Sequence, residues 1–155
     1  MKPKIKTVKI VKKKKKKSKK AYYVEPKRFL QLLKEYYASD DLIDELAEST
    51  SKIAIGLSYS PNFINYSYKD EMIGDAVVKM IAAVKNKKFN LEATSNPFSY
   101  FTTIAYHAFI NRIKKEKKYR ETISAYQAQL YSDLNITEPA SNAAPQKDYD
   151  KELYS

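Results

Sequence analysis

The amino-acid sequence predicts an all-α protein, a compact bundle of about four helices, and three observations carry that prediction. Only two glycines, Gly56 and Gly74, occur in 155 residues, and β-type alternation is hard to find. Apolar residues from Pro26 onward recur at helical rather than strand spacing. The strongest start and stop signals, Pro26, Ser60-Pro61-Asn62 and Thr94-Ser95-Asn96-Pro97, divide the chain into helix-length pieces. Helices joined by short connections pack as a bundle around one core.

Pro26 suits the first turn of a helix that carries Phe29, Leu30, Leu32, Leu33, Tyr36 and Tyr37. Asp40 or Asp41 can cap a second helix, whose stripe runs Leu42, Leu46, Ile53 and Leu57 with Ile43, Ala47 and Ala54 beside it. A third opens near Tyr68-Lys69-Asp70-Glu71, with acids where the helix dipole favours them, and continues through Met72, Ile73, Ala76, Val77, Met80, Ile81 and Val84. The fourth runs from Phe98 to about Tyr119. After Thr122 the signal fades, with a weak helix through Leu130 and a linker at Pro139–Pro145. The predicted organisation is a tail over 1–20, a helical domain over 21–120 and a weakly helical to flexible arm over 121–155.

The formal net charge of +11 belongs to one place. Residues 1–20 hold 12 of the 29 basic side chains and no acid, leaving 17 basic against 18 acidic residues in the rest, a net of −1. Such a polylysine segment self-repels and cannot bury a core, so it reads as disordered. It is either a non-specific grip on polyanions or a solubilising tail.

Enzyme readings fail on parts. One histidine, His107, and no cysteine leave no nucleophile–base pair and no zinc set of the usual kind. The glycines are too far apart for a phosphate-cradling loop. Asp70, Glu71 and Asp75 are read as surface charges at a helix start rather than as a metal site. The expectation is a protein that is not an enzyme, uses no cofactor or metal, and has no small-molecule substrate. No apolar run is long enough to span a bilayer, so no membrane partner is expected.

The fourth helix is the informative one. Phe98, Phe101, Ile104, Ala105, Ala108 and Ile113 fall on or near an inward side, whereas Thr103, His107, Asn111, Lys114 and Lys118 follow one another at spacings of four, four, three and four. Tyr100 and Tyr106 flank that polar strip. Arg112, Lys114, Lys115, Lys117, Lys118 and Arg120 place six cations within nine residues. Two would answer the helix dipole. Six, beside aromatic rings and hydrogen-bonding side chains, suit a phosphate backbone with unpaired bases stacked nearby. That surface exists only if Tyr100, Tyr106, His107 and Asn111 are not buried together.

The run Phe98-Ser99-Tyr100-Phe101-Thr102-Thr103-Ile104-Ala105, followed by His107, Ile110, Asn111 and Arg112, resembles the promoter-melting, −10-reading helix of bacterial sigma factors. The preceding Asp70-Glu71-Met72-Ile73-Gly74-Asp75-Ala76, with Met80 to Val84 and Phe89, is similar to the sigma helix that docks on the polymerase β′ coiled coil. Order, spacing and size resemble the late-transcription sigma factors of tailed bacteriophages, which keep a reduced sigma domain (region 2). The similarity covers about residues 40–120.

The resemblance implies a transcription initiation factor that binds bacterial core RNA polymerase and promoter DNA in the cytoplasm of an infected host. On the third helix Glu71, Asp75, Val78, Lys79 and Ala82 would meet polymerase. On the fourth, Tyr100, Phe101, Thr103, Tyr106, His107 and Asn111 would meet a melted −10-like element, and Arg112, Lys114, Lys115, Lys117 and Lys118 its phosphates. The stretch Asp148–Tyr154 is similar in character to a terminal peptide that binds the DNA sliding clamp, with Asp150, Leu153 and Tyr154 as its contacts. Two departures stand out. The tandem tryptophans of housekeeping sigma factors are Ile104 and Ala105 here, and residues 121–155 are too few for a second helix-turn-helix domain. Recognition would rest on a single promoter element. Two other readings remain: a non-specific nucleic-acid-binding protein working through the polylysine tail, and a helical polymerase adaptor that does not touch DNA.

Overall fold

The computed structural model describes residues 19–137. Among them a single 3-10 turn, Lys19–Tyr22, precedes four helices: α1 (Pro26–Ser39), α2 (Asp44–Ser58), α3 (Lys69–Lys85) and α4 (Pro97–Asp133). They form a compact all-α bundle in which α4 packs most extensively along α3 and also touches α2 and α1. Among the described residues no helix is long and apolar enough to cross a membrane.

The core forms where the apolar stripes meet. Phe29 of α1 lies edge-on to Phe101 of α4 at 5.2 Å, and Phe63 lies edge-on to Phe109 at 5.0 Å. Leu32, Leu33, Leu46, Met72, Met80 and Val84 fill the space between them and are fully buried. Ala76 and Ala83 on α3 face the same core as Ala105 and Ala108 on α4, and these small side chains let the two helices approach closely. Burial of each large side chain supplies about 1.5–3 kcal/mol. The buried hydroxyls of Ser49, Thr50 and Ser58 donate to carbonyls one turn back in α2, so none is orphaned.

Helix ends follow the sequence signals with two exceptions, the start of α2 and the end of α4, which runs on to Asp133. Asn96 caps α4 by accepting a hydrogen bond from the Phe98 N–H at 2.9 Å, with Pro97 at the first helical position. Asp70 and Glu71 occupy the first turn of α3. Neither Asp40 nor Asp41 caps α2. Asp40 adopts the left-handed conformation (φ 56°) and closes α1, its N–H donating to the Tyr36 carbonyl at 2.8 Å. The helix α2 starts two to three residues later than expected, after Ile43, and Leu42 lies outside it, 36% exposed.

The connection between α3 and α4 is fixed to α1. Lys87, itself left-handed (φ 50°), bridges the Asp40 carboxylate at 2.7 Å and the Tyr37 carbonyl at 3.1 Å. The Phe89 N–H donates to the Tyr37 hydroxyl at 3.2 Å. This anchors Phe89 under the start of α4, and so sets where Tyr100 stands. The Tyr37 phenol is held above its ordinary range by burial.

Candidate nucleic-acid interface

The helix α4 is 37 residues long and passes residue 120 without a break. Its bundle-facing side carries Pro97, Phe101, Ala105, Ala108, Phe109 and Ile113, all buried. Thr103, His107 and Asn111 line up on the outer side, all exposed, and Lys114 and Lys118 continue that line, also exposed. The Thr103 hydroxyl donates to the Ser99 carbonyl at 2.9 Å, which leaves its lone pairs to accept. Tyr100 and Tyr106 are half-buried. The Tyr100 ring packs against Phe89 at 5.3 Å, and Tyr106 against Phe63 at 5.5 Å. The core thus holds both rings from beneath and leaves part of each at the surface. Tyr100, Tyr106, His107 and Asn111 are therefore not buried together.

One expected DNA contact is corrected. Phe101 is wholly buried between Phe29 and Phe89, at 5.2 and 6.3 Å, and cannot meet a base. Helical spacing had already set it with Ala105 and Ala108 on the inward side. Of the positions that replace the sigma tryptophans, Ala105 is buried and Ile104 half-buried.

Arg112 and Asp75, assigned to different surfaces, bind each other. The guanidinium grips the carboxylate with two parallel bonds, Nε to Oδ2 at 2.7 Å and Nη2 to Oδ1 at 2.8 Å, and Nη1 reaches Glu116 at 3.2 Å. The Arg112 side chain is only 17% exposed. It therefore joins α3 to α4 rather than standing ready for a phosphate. Matched forks of this kind are among the stronger polar contacts. The guanidinium holds the Asp75 carboxyl below its ordinary range, and the carboxylate in turn raises Arg112.

This pair gives a pH-dependent prediction. Asp75→Asn keeps the shape but not the charge and should lower stability by about 1–2 kcal/mol at neutral pH, a figure discounted for the partial exposure of Asp75. The folded carboxyl titrates below the unfolded one. Its stabilisation is complete above the ordinary aspartate value, about 4, and is lost as pH falls through the lowered one. Denaturation curves of the two proteins should differ at pH 7 and converge in acid; a constant gap across that range would show that the charge is irrelevant.

On α3, Glu71, Val78, Lys79 and Ala82 are exposed along one face, Val78 at 67%. Asp75 is half-buried beside them. A groove of about 380 Å³ between α3 and α4 is lined by Asp75, Val78, Lys79, Ala108, Asn111, Arg112 and Lys115. The residues expected to meet polymerase and those expected to meet DNA therefore share a boundary. Lys115, Lys117 and Lys118 are exposed on the following turns. Asp150, Leu153 and Tyr154, and residues 1–18 of the polylysine tail, lie outside the described residues.

A cleft of about 670 Å³ went unnoticed in the sequence. Tyr22, Tyr23, Gly56, Tyr59, Ser60, Pro61 and Phe98 line it. Tyr22 and Tyr59 lie 5.6 Å apart, and the Lys69 ammonium sits 5.5 Å from the Tyr59 ring centre. The signal was weak because Tyr22 and Tyr23 precede every helix; only their position next to the lysine run marks them. The cleft opens beside Phe98, at the start of the helix that carries the polar strip. Among the described residues no group of three His, Cys, Asp or Glu converges on a common point. No protein-family model matches the chain, and no curated protein matches it either.

Proposed function

We propose that this chain is a sigma-type transcription initiation factor: it binds bacterial core RNA polymerase through the outer face of α3 and reads one −10-like promoter element, as separated strand, through the outer face of α4. The observation that carries the reading is the exposed line Thr103, His107, Asn111, Lys114 and Lys118 on a single helix. Hydrogen-bonding groups at one end suit base edges, and cations at the other suit phosphates. Tyr100 and Tyr106 offer partial ring faces on which unpaired bases can stack, each stack worth about 1–3 kcal/mol. The aromatic cleft at Tyr22 and Tyr59 extends that supply of rings. The neighbouring face of α3, across the groove it shares with α4, leaves room for a protein partner beside the DNA. In this reading the factor performs no chemistry itself, serves a phage late promoter, and acts in the cytoplasm of the infected host.

In vitro transcription tests it. The factor added to core polymerase should yield promoter-dependent transcripts from a template bearing the matching element. His107→Ala with Asn111→Ala should reduce them about tenfold or more while the melting curve stays in place. A core polymerase that gains no promoter preference, with or without a sliding clamp, would refute the assignment. Removing residues 1–20 should soften salt-sensitive affinity but preserve promoter choice; loss of all function would favour the tail-driven, non-specific reading.

A further inference from the structure

Beyond Glu116 α4 leaves the bundle, and every residue from 117 to 130 is exposed. A helix that faces only water has no use for an apolar side. This one has such a side. Tyr119, Ile123, Tyr126 and Leu130 recur at spacings of four, three and four, with exposures of 64%, 40%, 65% and 42%. At 100° per residue they lie within an arc of roughly 60°. Lys115 and Lys118 flank the stripe on one side and Arg120 on the other.

A left-handed closure ends this helix. Asn135 is left-handed (φ 49°), and the Ile136 N–H donates to the Tyr131 carbonyl at 3.0 Å. Ten residues, 138–147, then lead to Asp-Tyr-Asp-Lys-Glu-Leu-Tyr-Ser at 148–155. Extended, ten residues cover roughly 30 Å. The way back from Asp133 to Tyr119 along the helix is only about 20 Å. The terminal segment brings three acids, Asp148, Asp150 and Glu152, and three apolar anchors, Tyr149, Leu153 and Tyr154.

We propose that residues 148–155 fold back onto this stripe, the anchors covering Tyr119 to Leu130 and the acids facing Lys115, Lys118 and Arg120. Reach and charge both favour this occupant. A second copy fits less well, because four partly exposed side chains offer roughly half of the ~800 Å² that each partner of a stable dimer buries. A tethered peptide needs far less surface, since its effective concentration is already high. Where the nucleic-acid reading holds, the docked acids compete with phosphates for the same cations, and a partner that captures Leu153 and Tyr154 frees them.

The chain has no cysteine, so Ser155→Cys accepts one nitroxide label at a unique site. Amide signals of residues 119–130 should broaden in the labelled full-length protein and recover when Leu153→Asp or Ile123→Asp is added, with signals from the bundle unmoved. Absence of broadening would overturn the proposal. So would broadening of isotope-labelled protein by separately spin-labelled protein, which means a second copy. Deleting 148–155 should raise affinity for oligo(dT) about three- to tenfold at low salt; unchanged affinity despite intramolecular broadening would overturn the competition. If neither form binds oligo(dT), the nucleic-acid reading fails while the docking result stands.

Discussion

Phe101→Ala is expected to destabilise the bundle by about 3–5 kcal/mol. The ring is fully buried and touches rings from α1 and from the α3–α4 connection, so its removal leaves a cavity where three segments meet. Movement of the α3–α4 connection into the gap would disturb the bond from the Phe89 N–H to the Tyr37 hydroxyl. Thermal melting should fall by about 10–20 °C. Phe101→Leu, which keeps most of the volume, should cost less than half as much. His107→Ala, whose side chain is exposed on the outer side of α4, should stay within about 0.5 kcal/mol. If Phe101→Ala melted like the parent, the packing described for α4 would be wrong. The contrast also separates lost transcription due to unfolding from lost transcription due to a missing base contact.

The second large effect is on binding. Replacing Lys114, Lys115, Lys117 and Lys118 together by alanine should weaken binding to a single-stranded promoter oligonucleotide by about one to two orders of magnitude at low salt. The slope of log affinity against log salt should flatten by about 2–3, since each phosphate contact on a single strand contributes roughly 0.7. Alanine favours helix, so circular dichroism should stay unchanged. Fluorescence anisotropy over a salt series measures both quantities. Promoter-dependent transcription at the parent level by this variant would mean that α4 serves polymerase alone, the adaptor reading.

Much of this architecture was legible where local chemistry and packing agree. Asn96-Pro97 fixes the start of α4 because cap and first-turn proline act within three residues of each other. Asp70 and Glu71 mark α3 for the same reason. The failures have equally physical causes. Asp40 looks like a cap for the helix that follows, yet a short acidic residue also tolerates the left-handed turn that ends the helix before it. Phe101 was placed on both sides of α4, by helical spacing on the inner and by family likeness on the outer; spacing was right. The Asp75–Arg112 pair joins residues 37 apart, and no one-dimensional pattern reports it. The long continuation of α4 was underread because its stripe faces no partner in the bundle, although no proline or glycine interrupts it before Pro139.

The fork between Asp75 and Arg112 makes the outer faces of α3 and α4 chemically interdependent. A protein that claimed the carboxylate would leave a guanidinium tethered only to Glu116, one turn from Lys115 and close to wherever a nucleic acid strand ran. Engagement on one helix would thereby add positive charge to the other, with no movement of backbone required. Under the proposed function, polymerase binding and the grip on the promoter strand would be successive consequences of the same exchange of partners.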